Sequence, residues 1–344
     1  WDRALGDYEW QDDLAAPFWY RRQLHSAYAM LTDRFGPLSM EAGLRGEHTN
    51  DKMHFYGTYT SRDIPRWNLF PSAHLSYEAP GRNIISAGYS YRVARPGIWE
   101  LEPYITYEDY YTKKTGNPDI RPEYIHSAAI GYRKHFRGES QLSVTGFYRQ
   151  RSDVRERIRL AHEPEPGVTL DSLVNAGNDR TMGLEASAVV KPVHWWRMVM
   201  NGSVFHYKFN STFDGCADAS ILSYAFSMIN NFNIGKSSKL QFDANFVGPR
   251  ILSQGREDAY FYFDLAFRQP LAKNRLQLGL VAHDIFRTAK YYSIRRSSTL
   301  DSDTYVRPKY PNIILSLTYS FNGSGHKEKG GSVSSGAVFE GKDF

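Results

Sequence analysis

Along most of the chain, apolar side chains return at every second position. In 311–321 the odd positions hold Ile313, Leu315, Leu317, Tyr319 and Phe321, against Asn312, Ile314, Ser316, Thr318 and Ser320. In 84–95 the apolar set is Ile85, Ala87, Tyr89, Tyr91 and Val93, against Ser86, Gly88, Ser90 and Arg92. Segments 38–47 and 240–247 repeat the pattern. Successive residues of a strand face opposite sides, so a period of two marks a strand with one apolar and one polar face. The pattern predicts about thirteen strands, near 21–34, 37–49, 72–79, 83–95, 124–136, 140–152, 177–191, 195–210, 219–233, 238–248, 258–269, 275–288 and 310–321. No amphipathic helix is evident.

The connections alternate in length. Short ones lie at 35–37, 80–82, 137–139, 191–193, 235–237 and 270–274. Long ones lie at 50–71, 96–123, 153–176, 211–218, 249–257 and 289–309. This puts the tight turns at one end and the large loops at the other, as in a transmembrane antiparallel β-barrel with short periplasmic turns and long extracellular loops. A soluble sandwich also alternates, because one face of each sheet is wet. Its strands usually run five or six residues. Many here run 10 to 15, which suits a tilted strand crossing a bilayer. Aromatics near strand ends (Trp195, Trp196, Tyr207, Phe232, Tyr260 to Phe263, Tyr319, Phe321) fit the membrane–water interface.

Composition narrows the reading. No apolar run is long enough for a spanning helix. A single cysteine, Cys216, excludes a disulfide scaffold and a cysteine-based zinc site. The net charge of +5 over 344 residues is small and dispersed, which argues against nucleic acid as a partner. Residue 1 is Trp and no signal-peptide pattern follows it; the sequence reads as a mature or truncated product. No phosphate loop, nucleophile elbow or HExxH motif is present, and the 11 His show no metal-ligand spacing. The expectation is a non-enzyme without a cofactor or resident metal.

Specific motifs then enter. Phe70-Pro71-Ser72, Ser90-Tyr91-Arg92, Arg95-Pro96-Gly97, the run Trp99 to Tyr104, and Thr115-Gly116-Asn117-Pro118-Asp119-Ile120-Arg121-Pro122-Glu123 follow one another in order. Ala42 to His48, Gly183-Leu184-Glu185, Asp284-Ile285-Phe286 and the final Leu317 to Phe321 add to them. Together, over residues 20–322, they resemble the C-terminal barrel portion of TonB-dependent receptors in the outer membrane protein beta-barrel family. The resemblance implies a 22-strand barrel with a plugged lumen, of which this chain supplies the last thirteen strands. The family's signal peptide, carboxypeptidase-regulatory-like domain, plug and first barrel half are absent from this sequence. It further implies import of a scarce ligand across the outer membrane of a Gram-negative bacterium, with energy delivered by TonB through the plug. The implied partners are the missing plug and N-terminal barrel half, outer-membrane lipid and lipopolysaccharide, the barrel-assembly machinery and a surface lipoprotein. Tyr319 and Phe321 match the assembly signal of the last strand.

Residues 1–20 read as an extracellular loop or partial strand, 21–321 as the barrel, and 322–344 as a flexible periplasmic tail. Thirteen strands leave two open edges, which hydrocarbon does not tolerate. Either further strands close the barrel or residues 1–20 add a fourteenth. The alternatives to a receptor are therefore a self-contained passive channel of about 14 strands, or a structural or adhesive surface barrel. Candidate ligand contacts are Trp99, Tyr104, Tyr107, Tyr110 and Tyr111 in loop 96–123, which could stack on a planar ligand or simply form a self-packed lid. Arg155, Arg157 and Arg159 suggest an anion site or, preferably, a solvated or lipopolysaccharide-facing strand pair. Charges expected in the lumen, as plug contacts, are Arg45, Glu47, Arg92, Arg133, Glu185 and Asp243, with Arg197 and Asp264. Asp284 breaks its strand's register and should sit at the outer rim or beside a bulge.

Overall fold

A computed structural model describes residues 18–55, 60–162, 165–214, 216–272, 275–296, 301–309 and 311–321. The expected tail 322–344 and residues 1–17 of the expected N-terminal loop lie outside them. The strands are β1 (Phe18–Phe35), β2 (Leu38–Phe55), β3 (Thr60–Ala79), β4 (Asn83–Ala94), β5 (Thr106–Tyr107), β6 (Thr112–Lys114), β7 (Glu123–His135), β8 (Gln141–Ala161), β9 (Thr169–Val193) and β10 (Trp196–Ser211). They continue with β11 (Ala219–Ile234), β12 (Ser238–Val247), β13 (Arg250–Leu252), β14 (Gly255–Glu257), β15 (Tyr260–Leu271), β16 (Leu276–His283), β17 (Tyr291–Arg296), β18 (Asp301–Val306) and β19 (Asn312–Tyr319). Among the described residues one short helix, α1 (Ile98–Leu101), interrupts them.

The main sheet runs β1-β2-β3-β4-β7-β8-β9-β10-β11-β12-β15-β16-β19, every neighbour antiparallel. Each expected strand is present in this path. Register makes the two faces explicit. Ile85, Tyr132, Val144, Ala186, Gly202, Phe226, Phe246 and Phe261 pair in one continuous row. The adjacent row on the opposite face is Ser86, Gly131, Thr145, Glu185 and Ser203. Large apolar side chains of the first face, Leu31, Ile130, Leu184 and Leu315 among them, are exposed. A sheet that presents such a face has hydrocarbon, not water, as its solvent. Among the described residues, β1 pairs only with β2 and β19 only with β16, so each keeps one free edge.

Four boundaries depart from the sequence reading. β3 begins at Thr60 rather than Ser72, so 50–71 is mostly a hairpin extension and not a loop. Alternation fails there because Pro65 and polar residues occupy both faces. Pro65 is tolerated because β4 pairs β3 only from Ser72 onward, which leaves that side of β3 without a ladder to donate to. Likewise β8 and β9 run on to Ala161 and back to Thr169. Their register shifts between Arg151 and Val154, and again between Val154 and Arg155, with Asp153 at φ 57°. Such bulges put an extra residue into one strand and break the period of two. Finally, β16 stops at His283 rather than 288. Asp284 adopts φ 50°, and its carboxylate accepts the Thr288 and Ala289 N–H groups at 2.8 and 3.1 Å. That turn ends the strand at its loop end, where the expectation placed Asp284. The expected loops 249–257 and 289–309 contain a small sheet of their own, β13-β14-β17-β18.

Candidate functional site

The connection from Arg95 to Pro122 does not project away from the sheet. It folds across the polar face at the loop end and is fixed at both ends. At its start, Arg95 pairs with Glu47, which is 3% exposed and also holds Arg45 at 2.6 Å. The carbonyl of Pro96 accepts Arg22 Nη2 at 3.2 Å. Arg22, Arg66 and the Tyr20 hydroxyl converge on buried Asp51, at 2.6, 2.9 and 2.8 Å. Within α1, Glu100 receives Arg155 Nη1 at 2.5 Å.

The Gly116-to-Glu123 motif secures the far end. A Cβ on Gly116 would stand 2.6 Å from the Glu102 carbonyl oxygen and 2.7 Å from that of Glu100, so only glycine lets the two passes of the loop meet. Its N–H donates to Glu102 O at 2.8 Å, and the Asn117 N–H to Glu100 O at 2.7 Å. Asn117 Nδ2 donates to Leu173 O at 2.9 Å while its Oδ1 accepts the Asp119 N–H. Asn175 holds the Arg121 peptide from both sides. Glu123 accepts the Arg155 N–H at 2.6 Å. Ahead of the motif, β6 lies parallel to β9 over Thr169–Asp171. Apolar burial completes the seal: Leu101 and Ile120 of the loop pack with Met53, Phe55 and Leu173.

The far side of the β8–β9 hairpin is covered as well. Val154, Ala176 and Phe209 form a second buried cluster joined by Cys216, and burial raises the Cys216 thiol to about 11. Gln254 brackets the Arg159 peptide, accepting its N–H at 2.8 Å and donating to its carbonyl at 3.1 Å. At the hairpin base Arg151 binds Asp179, which also accepts the Tyr207 hydroxyl at 3.2 Å. The hairpin is thus clasped between two connections.

Of the candidate ligand residues, Trp99, Tyr107, Tyr110 and Tyr111 are exposed, and Tyr104 is half-buried. Tyr110 and Tyr111 meet edge to face at 5.0 Å. No ring contact joins Trp99 to them among the described residues. The loop is therefore both things at once, a lid packed through Leu101 and Ile120 and a platform of outward rings. Arg155 and Arg159 are not free for an anion: Arg155 is held by Glu100 and Glu123, and Arg159 grips Asp171 at 2.6 and 2.8 Å. Arg45, Glu47, Arg92, Arg133, Glu185 and Asp243, with Arg197 and Asp264, all fall on the Gly/Ser/Thr face by register. Tyr319 ends β19 on the apolar face and meets Phe321 at 4.6 Å. The buried acids Asp51 and Asp179 and the half-buried Asn117 and Asn175 are not among the candidates.

The tip of the lid is tied by Lys113, which is buried, donates to Glu165 at 2.5 Å and lies 4.9 Å from the Tyr107 ring centre. The hydrogen bond from Lys113 holds the Glu165 carboxyl below its ordinary 4.5, and the same bond raises Lys113 above 10.5. A lowered carboxylate value means the tie is complete above 4.5 and is lost as pH falls through the lowered value; the raised lysine loses its part only as pH climbs through its own raised value. Amides of 106–114 should therefore exchange faster at pH 3 than at pH 7 after correction for intrinsic rates. Equal protection at both would show that this ion pair is not the tie.

A model of the outer membrane protein beta-barrel family matches residues 2–319. The chain belongs to that family. Its apolar face is accordingly the lipid face, its Gly/Ser/Thr face the lumen, and its loop end the outer surface of a Gram-negative outer membrane. Solved structures agree on the fold. The ferric yersiniabactin uptake receptor FyuA of Yersinia pestis superposes with a TM-score of 0.64 at 15% identity, over 89% of this chain and 47% of that one. The FrpB iron transporter of Neisseria meningitidis gives 0.62 at 14%, over 88% and 46%. The ferric-catecholate import receptor Fiu of E. coli K12 gives 0.63 at 13%, over 88% and 45%. The chain spans less than half the length of these relatives. No curated protein sequence matches it.

Proposed function

We propose that this chain is the C-terminal wall and outer mouth of a TonB-dependent receptor that imports a scarce ligand. The observation that carries the reading is the pair of free edges on β1 and β19. In hydrocarbon every backbone N–H and C=O needs a partner, so a thirteen-strand wall calls for further strands. An N-terminal barrel half of the relatives' kind would supply them, together with a plug that meets the lumen charges Arg45, Glu47, Arg92, Arg133, Glu185 and Asp243. The clasped lid suits a receptor better than an open pore, because it narrows the mouth over the polar face. Ferric chelates, the cargo named for FyuA and Fiu, are the first ligands to try. The exposed rings of Trp99, Tyr107, Tyr110 and Tyr111 offer stacking surface for a planar aromatic chelator.

The test begins with the native protein in purified outer membranes. Its mass should lie well above 39.5 kDa, with plug sequence upstream of Trp1, and labelled ferric-chelate uptake should stop when TonB is deleted. A native species of about 39.5 kDa that conducts ions without TonB would replace this reading with a self-contained passive channel.

A further inference from the structure

The lipid face ends abruptly at its outer margin. The row Ala87, Ile130, Gly146, Leu184, Val204 and Tyr224 is apolar throughout. The next row outward carries Tyr89, Tyr148, Met182 and His206. The row above that is Tyr91, His126, Gln150, Arg180, Lys208 and Ser220. Within two rows, four residues along each strand, the face passes from hydrocarbon contact through rings to two cations. Their orientation follows from neighbours: Asp179 and Tyr207 face the lumen and bind each other, so Arg180 and Lys208 face out.

These two cations are directly opposed across the β9–β10 ladder, which places their Cβ atoms about 5 Å apart. Like charges in that position repel and weaken the pairing. Both side chains are exposed, and neither has an ion-pair partner among the described residues. Asp218, the acid that follows on this rim, is taken by the Ser211 N–H at 2.7 Å and Asn210 Nδ2 at 3.4 Å. His206 stands one row below, on the same face. By contrast, Lys52 on the outward face of β2 is neutralised by Asp63 at 3.2 Å.

We infer that Arg180 and Lys208, flanked by His206 and Gln150, form a docking site for the phosphate groups of an anionic glycolipid in the outer leaflet. The charge complements that ligand. Continuity with the apolar rows beneath lets acyl chains lie against Leu184 and Val204 while the phosphates reach the cations. A soluble phosphate would gain nothing from those rows.

The test uses the native protein purified in a zwitterionic detergent and titrated with bisphosphorylated lipid A, with native mass spectrometry counting bound lipid. Wild-type protein should bind it, and phosphatidylcholine should not compete. Arg180→Gln with Lys208→Gln should weaken binding about thirty-fold, from the usual contribution of each cation near an anionic surface. Arg180→Lys should retain binding, and Lys52→Gln should match wild type. Unchanged binding by the double glutamine variant, with its barrel intact by heat-modifiable migration, would overturn the assignment. So would displacement of lipid A by equimolar inorganic phosphate, which would make this a soluble-anion site.

Discussion

Asp179→Ala should destabilise the barrel mouth by about 3–5 kcal/mol, the usual cost of leaving a buried charge without its counter-ion. Asp179 is 1% exposed, and the Arg151 side chain that it holds is 10% exposed. The substitution also strands the Tyr207 hydroxyl. The loss belongs to broken pairing rather than to the net strength of the ion pair, and a double variant separates the two. Arg151→Met with Asp179→Ala removes both charges and should recover most of the stability, because replacing both partners by apolar groups is often close to neutral. Hydrogen exchange of β8, β9 and β10 in the detergent-solubilised protein reads the result. Equal protection in wild type and Asp179→Ala would show that the pair does not organise the hairpin base.

Gly116→Ala should release the lid. Unlike a contact with the tip of a flexible side chain, the 2.6 and 2.7 Å approaches are to backbone atoms on the opposite pass of the loop. Relief requires the passes to separate, and that removes the hydrogen bonds from the Gly116 and Asn117 N–H groups together with the Asn117 anchor on Leu173. Leu101 and Ile120 would then lose their seat on Met53 and Phe55, a burial worth about 1.5–3 kcal/mol for each side chain. Protease added to intact cells should cut the protein within 98–121 in the variant and spare it in wild type. Gly46→Ala is the control, since its added Cβ would sit at an ordinary 3.5 Å from Leu69. If both variants resist cleavage equally, the close approach at Gly116 does not fix the lid.

The wall of the barrel was legible in the sequence because each wall strand has two solvents, hydrocarbon outside and a polar lumen inside, and the period of two records both. The legibility stops where that contrast stops. Around Thr60 to Pro71 and beyond Ser152, both faces of the hairpins are polar or packed against protein, so alternation vanishes although pairing continues. The lumen placement of Arg45, Glu185 and Asp243 followed directly from register. The clasp did not. Asp51 and Asp179 look like any acid on a polar strand face, and their partners lie 15 to 31 residues away. One signal was present, the Gly-Asn-Pro motif at 116–118. In the sequence it marks only a likeness, while its mechanical meaning rests on how closely two stretches of backbone approach.

The clasp also carries a consequence for time. Hairpins of the wall join neighbours in sequence and zip with little loss of chain entropy, whereas Arg95 with Glu47, Asn117 with Leu173 and Arg159 with Gln254 close spans of 48, 56 and 95 residues. Distant closures come late, after nearer pairings have brought their ends together. During biogenesis, then, the wall precedes the seal, and every newly made copy passes through a stage with its mouth open.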